Sequence, residues 1–270
     1  MEESALSTPF GDEPLEEIQL ASAPLVRVIA QLRYPQLASM ADDTVAHAFA
    51  KEVSGDYPLF EEAREVNLLV AGATISQQEQ VTSQVWRLQT ADGNWLVTLG
   101  RNSLSLEALA YPGRRDFCDR LVRLADTFIR RAAPPRFDRF GIRYINRVTN
   151  AEIISDLSKL VRPEMVGAAA LRLPDGVTIH HSLLEAQFNQ GAHTTLVRCG
   201  VLPAGTTIDL AVPATSLPSW ILDIDSAVSG ADAVVADKIS DLATDLAERA
   251  YRVFRFAVNR DFLKVFEAPQ

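Results

Sequence analysis

The chain is 270 residues long, 47% hydrophobic and 23% charged, the composition of an ordinary folded protein rather than a disordered or fibrous one. Its net charge of −9 argues against indiscriminate binding to nucleic acid or anionic membrane, where positive charge dominates affinity. The longest uncharged runs, residues 66–78 and 210–222, are 13 residues each, short of the roughly 18 that a spanning helix needs.

The charge is unevenly spread. Residues 1–22 hold six acids and no base, and read as an acidic mobile arm. Their acidity is the opposite of a basic signal-peptide start, so a cytoplasmic location is expected. Residues 114–147 hold ten arginines and four acids, which keeps a local anion-binding surface in play inside an acidic whole. Cys118 and Cys199 are too few for a disulfide framework and read as reduced, buried thiols.

Residues 25–34 alternate, with Val26, Val28, Ala30, Leu32 and Tyr34 on one side and Arg27, Gln31 and Arg33 on the other, predicting a strand with one wet face. A helix is predicted over 42–53, with Asp42 or Asp43 as its cap. Strand-like runs follow at 65–75, 81–90, 95–100 and 103–110, with Asp92-Gly93 marking a hairpin turn. Residues 114–131 form an amphipathic helix whose buried stripe is Phe117, Leu121, Leu124 and Phe128.

The order then recurs. A strand is predicted at 140–148, a short helix at 154–161, and strands at 179–189, 193–201, 206–212 and 220–228. A long helix spans 231–256, with Ser229 as its cap and Val235, Ile239, Leu242, Leu246 and Val253 buried. A tail at 258–266 pairs or packs back. The expectation is an α+β protein of two fused β-α-β4-α halves, 23–135 and 136–270, forming one compact unit. They share a curved antiparallel sheet with helices on one face, and Leu32-Arg33-Tyr34 is echoed by Ile142-Arg143-Tyr144. This topology resembles the duplicated saddle of the TATA-box-binding-protein-like fold. APLVRVIAQLRYP at 23–35, FGIRYINRV at 140–148 and a final helix followed by Phe262 resemble a sporadically distributed bacterial family of uncharacterised proteins. That resemblance implies a bacterial, cytoplasmic, accessory protein, and brings no catalytic residues with it.

Among groups that carry chemistry, the arginines stand out. Arg139, Arg143 and Arg147 share one face of their strand, Arg33 is the counterpart of Arg143, and Arg27 lies on the face of Arg33. Several guanidiniums on one sheet face can clamp phosphate, carboxylate or an acidic protein surface through forked hydrogen bonds. The competing reading is a solvated face of cross-strand ion pairs with Glu107, Glu185 or Asp138. The basic helix residues Arg120, Arg123, Arg130 and Arg131 read as solvated, because three of them have an acid one turn away. His180 and His181 are adjacent, so on a strand they point to opposite faces, and with Glu185 and His193 they lack a zinc-site spacing.

No GxSxG, glycine-rich phosphate loop or ExExK motif occurs, and neither cysteine has a histidine beside it. Trp86, Trp95 and Trp220 fall in alternating strands and read as core. The expected function is a non-enzymatic binding or regulatory protein acting through the arginine-bearing face, with no cofactor, no metal and a protein as partner. A place in an accessory or defence-type locus fits the patchy family. Nucleic-acid binding through the same face is the alternative, disfavoured by net charge, and an unrecognised hydrolase-type enzyme comes third. Membrane association is not expected, and the oligomeric state is left open.

Overall fold

The computed structural model describes residues 6–11, 13, 15–67, 81–208, 211–230 and 236–267. Among these residues nine strands, β1 (Leu25–Arg33), β2 (Leu59–Asn67), β3 (Val81–Gln89), β4 (Trp95–Gly100), β5 (Ser103–Ala108), β6 (Arg139–Val148), β7 (Ser182–Gln190), β8 (His193–Leu202) and β9 (Ser219–Ser229), form a sheet ordered β2-β3-β4-β5-β1-β6-β9-β8-β7. The helices are α1 (Thr44–Val53), α2 (Arg114–Ala132), α3 (Ala151–Ser155), α4 (Leu157–Leu160), α5 (Pro163–Val166), α6 (Ile239–Ala257) and α7 (Arg260–Glu267). The fold is α+β, and the chain divides into two compact units: residues 29–140 with 229–242, and residues 1–28 with 141–228 and 243–270.

In the 29–140 unit the alternation of β1 buries Ala30 and Leu32, and β3, β4 and β5 form a meander with β2. The stripe of α2 packs as its spacing predicts: Phe117, Leu121, Leu124 and Phe128 are all buried. Phe128 lies 4.6 Å from the Tyr34 ring and Phe117 5.9 Å from Trp95. Burying each such side chain contributes about 1.5–3 kcal/mol, so this helix supplies much of the core. The hairpin at Asp92-Gly93 forms as expected: Gly93 takes φ +75°, and Asp92 Oδ1 accepts from Thr90 Oγ1 and the Asn94 N–H. Of the two candidate caps for α1, Asp42 accepts from the Thr44 N–H at 2.9 Å, whereas Asp43 makes no capping bond.

The second unit centres on β9, whose Trp220, Leu222 and Ile224 pack with Ala250, Val253, Ala257 and Phe262 in one apolar cluster. Trp220 and Phe262 rings are 5.7 Å apart, so the tail at 258–266 packs back, as α7. All three tryptophans are buried core residues.

Several boundaries differ from the sequence reading. No strand forms at 206–212 among the described residues; Pro203 and Gly205 (φ +75°) turn the chain, and Gly205 N–H donates to Thr215 O instead. As a result β8 pairs directly with β9. The edge strand expected at 65–75 is β2, six residues earlier, and 68–75 lie outside the described residues. Ser229 ends β9 rather than capping a helix, and the long helix starts at Ile239, with Val235 outside the described residues. The helix expected at 154–161 is two short ones, α3 and α4, with Asn150 Oδ1 capping the first.

Candidate functional site

The five candidate arginines divide between the two units. In the 29–140 unit Arg33 is exposed, its Nε donating to Gln31 Oε1 at 2.9 Å, and Arg139 is partly buried and engaged within the chain. In the second unit Arg27 is partly buried and likewise engaged, while Arg143 and Arg147 sit four residues apart on β6.

Arg143 meets an acid that lies 80 residues further along. Its Nε and Nη2 donate to Asp223 Oδ1 and Oδ2, both at 2.7 Å. Asp223 stands directly opposite Arg198 on β8, and Arg198 directly opposite Glu185 on β7. Arg198 Nη1 reaches Asp223 Oδ2 at 3.5 Å, and its Nε donates to Glu185 Oε2 at 2.6 Å. Four strands thus carry an alternating row: Glu185, Arg198, Asp223, Arg143. Burial deepens inward from the edge, with side-chain exposure of 56% at Glu185, 24% at Arg198 and 2% at Asp223.

Arg147 has no such partner. The Nη1 group donates to Pro213 O, which lies in the connector between β8 and β9. Its Nε and Nη2 are buried and have no hydrogen-bond partner among the described residues. These two donors form the same fork with which Arg143 grips Asp223. Burial alone pulls the guanidinium pKa below its ordinary value. A buried, unsatisfied donor costs about 1–3 kcal/mol, more when charged, so an acceptor there gives back what folding alone does not recover.

A second polar locus lies where the N-terminal segment crosses α6. Residues Phe10, Gln190, Asp245, Glu248, Arg249 and Arg252 line a shallow cleft of about 180 Å³. The segment itself is held by hydrogen bonds: Arg252 and Arg255 donate to the carbonyls of Glu13 and Glu16, and Ile18 N–H donates to Tyr251 Oη at 2.8 Å. Glu13 and Glu16 thus meet these α6 arginines through their backbone oxygens. Beside the cleft, His193 Nε2 lies 2.9 Å from Asp245 Oδ2, and Arg249 Nε donates to the same carboxylate. His193 and Glu185 therefore have different partners, Asp245 and Arg198. Among the described residues no group of three or more His, Cys, Asp and Glu side chains is placed to hold a metal. Burial pushes the Cys199 thiol up to about 12, which suits an inert core residue and not a nucleophile.

Comparison with known proteins finds no matching family model and no matching curated protein. Among the described residues, no helix is long and apolar enough to cross a membrane. The arrangement therefore has to be read from its own chemistry.

Sequence reasoning missed Asp223 and Arg198, which complete the row. A signal was present: an acid inside ILDID, within an otherwise apolar strand, needs a buried cation, and β6 supplies one.

Proposed function

We propose that this chain is a non-enzymatic binding or regulatory protein that receives an acidic group of a partner protein at Arg147, on the arginine-bearing face of β6. The observation that carries the reading is the buried Nε/Nη2 fork of Arg147, which has no partner among the described residues. A carboxylate satisfies both donors at once, as Asp223 does for Arg143 four residues back along β6. A protein carboxylate is favoured over nucleic acid because Arg143 is already neutralised by Asp223, and a row of charge-balanced pairs offers little to a phosphate backbone.

The two-half, TATA-box-binding-protein-like organisation and the bacterial accessory or defence-type setting belong to the same proposal. What supports the former is the strand order, in which the first strand of each half, β1 or β6, lies inward, the next, β2 or β7, lies at an outer edge, and the following strands return inward.

The test is affinity purification of the tagged chain from the organism that encodes it, beside Arg147→Gln and Arg147→Lys variants. The expected result is a stoichiometric protein retained by the parent chain, lost with Arg147→Gln and weakened with Arg147→Lys, which keeps the charge but not the fork. Equal recovery with all three chains, or nucleic acid in place of protein, overturns the reading.

A further inference from the structure

β7 ends the sheet, and among the described residues no backbone hydrogen bond reaches its outer edge. It spans nine residues, about 30 Å of strand. Edge strands are ordinarily protected by proline, lysine or a bulge. β7, SLLEAQFNQ, contains no proline and no basic residue, and its pairing with β8 runs unbroken from Ser182 to Gln190. Leu183 and Phe188 are 40% and 43% exposed. The Phe10 ring lies 4.9 Å from Phe188 and covers that end, while Leu183, Glu185 and Gln187 are exposed and Leu184 and Ala186 half-buried.

The charge row says what this edge fits. Counting outward from β6 the signs run plus, minus, plus, minus, and the last member, Glu185, stands on the free edge. Its Oε2 is taken by Arg198, and its Oε1 has no partner among the described residues. A further strand continues the alternation only if it places a cation opposite Glu185. Opposite charges on directly facing strand residues are favourable and like charges unfavourable. A second copy of β7 brings no cation to that position, since the strand has none to offer.

We infer that β7 is a docking edge for an extended segment of a partner protein that adds as a tenth strand. That segment sets a lysine or arginine opposite Glu185 and alternates it with apolar residues facing Leu184 and Ala186. Main-chain bonds supply the affinity and the single cation sets register. This surface is built on different residues from the Arg147 fork and goes beyond that reading.

The probe is a capped nine-residue peptide of alternating threonine and valine with arginine at its centre, beside the same peptide with central glutamate. Binding is followed on the full chain by amide chemical shifts and hydrogen exchange. The expected result is protection of β7 amides by the arginine peptide, with about tenfold weaker binding of the glutamate peptide. Glu185→Lys reverses that preference; Glu185→Gln abolishes it and serves as the readout if the lysine variant does not fold. No binding of either peptide, equal binding of both, or self-association through β7 in place of peptide binding overturns the inference. Arg147→Gln keeps the peptide response, so failure here and failure of the Arg147 reading are distinguished.

Discussion

Arg143 and Asp223 face each other across β6 and β9 with two parallel hydrogen bonds of 2.7 Å, and the carboxylate is only 2% exposed. Removing one partner from such a pair strands the other in a dry environment, a far larger penalty than the net worth of the intact pair. Asp223→Asn is expected to destabilise the protein by about 3 kcal/mol in urea unfolding. The double variant Arg143→Met with Asp223→Leu is expected to recover most of that loss, because it removes both charges and keeps the volume. A double variant as unstable as the single would show that the pair has a net stabilising role.

Cys199 titrates at about 12 when folded, against about 9 for an unperturbed thiol, because burial disfavours the thiolate. The unfolded chain therefore releases this proton first as pH rises, and the native state holds it. Stability from this group is full below pH 9 and falls between pH 9 and 12. Cys199→Ala is expected to flatten that part of the stability profile. A thiol reagent at pH 8 should leave Cys199 unmodified until the protein is unfolded, as mass spectrometry of the peptides would show.

Gly200 packs its α-carbon against β7 so tightly that a Cβ would lie 1.9 Å from Ser182 O, a backbone atom that cannot swing away. Gly200→Ala is expected to cost about 3 kcal/mol and to loosen the start of β7, visible as faster amide exchange at residues 182–184. Gly55→Ala, where no atom lies within 4 Å, is the control and should be nearly neutral. Equal effects of the two would mean that β7 shifts to admit the methyl group.

In the described part of the N-terminal segment, the Glu13 and Glu16 carbonyls accept from arginines of α6 and the Ile18 N–H donates to Tyr251. Arg252→Met, which removes the donor to Glu13 O, should raise the rate of limited proteolysis within residues 6–22 about fivefold, the equivalent of one hydrogen bond. Glu13→Gln should leave it unchanged. The opposite ranking would restore a side-chain electrostatic account.

Much of the fold was legible because period and burial coincide. The α2 stripe, the 95–100 strand and the Asp92-Gly93 turn each carry a local signal strong enough to stand alone. The 206–212 strand failed because its apolar residues are bracketed by Pro203, Gly205 and Pro213, and turn chemistry outweighed alternation. For the site, the arginine spacing on β6 was readable, but its counter-charge was not: Asp223 reaches Arg143, and Arg198 reaches Asp223, only through strand pairing. The N-terminal segment was read from charge as a free arm, whereas Phe10, Ile18 and Leu20, the apolar residues that pack on the second unit's core, are scattered and give no periodic signal.

The cross-strand row also settles a question that the apolar pattern leaves open. A slip of one residue in β8 would turn every side chain to the wrong face and is forbidden by burial alone. A slip of two keeps each apolar residue on its own side and so goes undetected by the core. In this protein that slip would carry Arg198 past both Asp223 and Glu185, leaving a half-buried guanidinium without its acids and Glu185 without its cation. The charged residues thus act as a ratchet tooth, admitting one alignment where hydrophobic packing would tolerate a ladder of them.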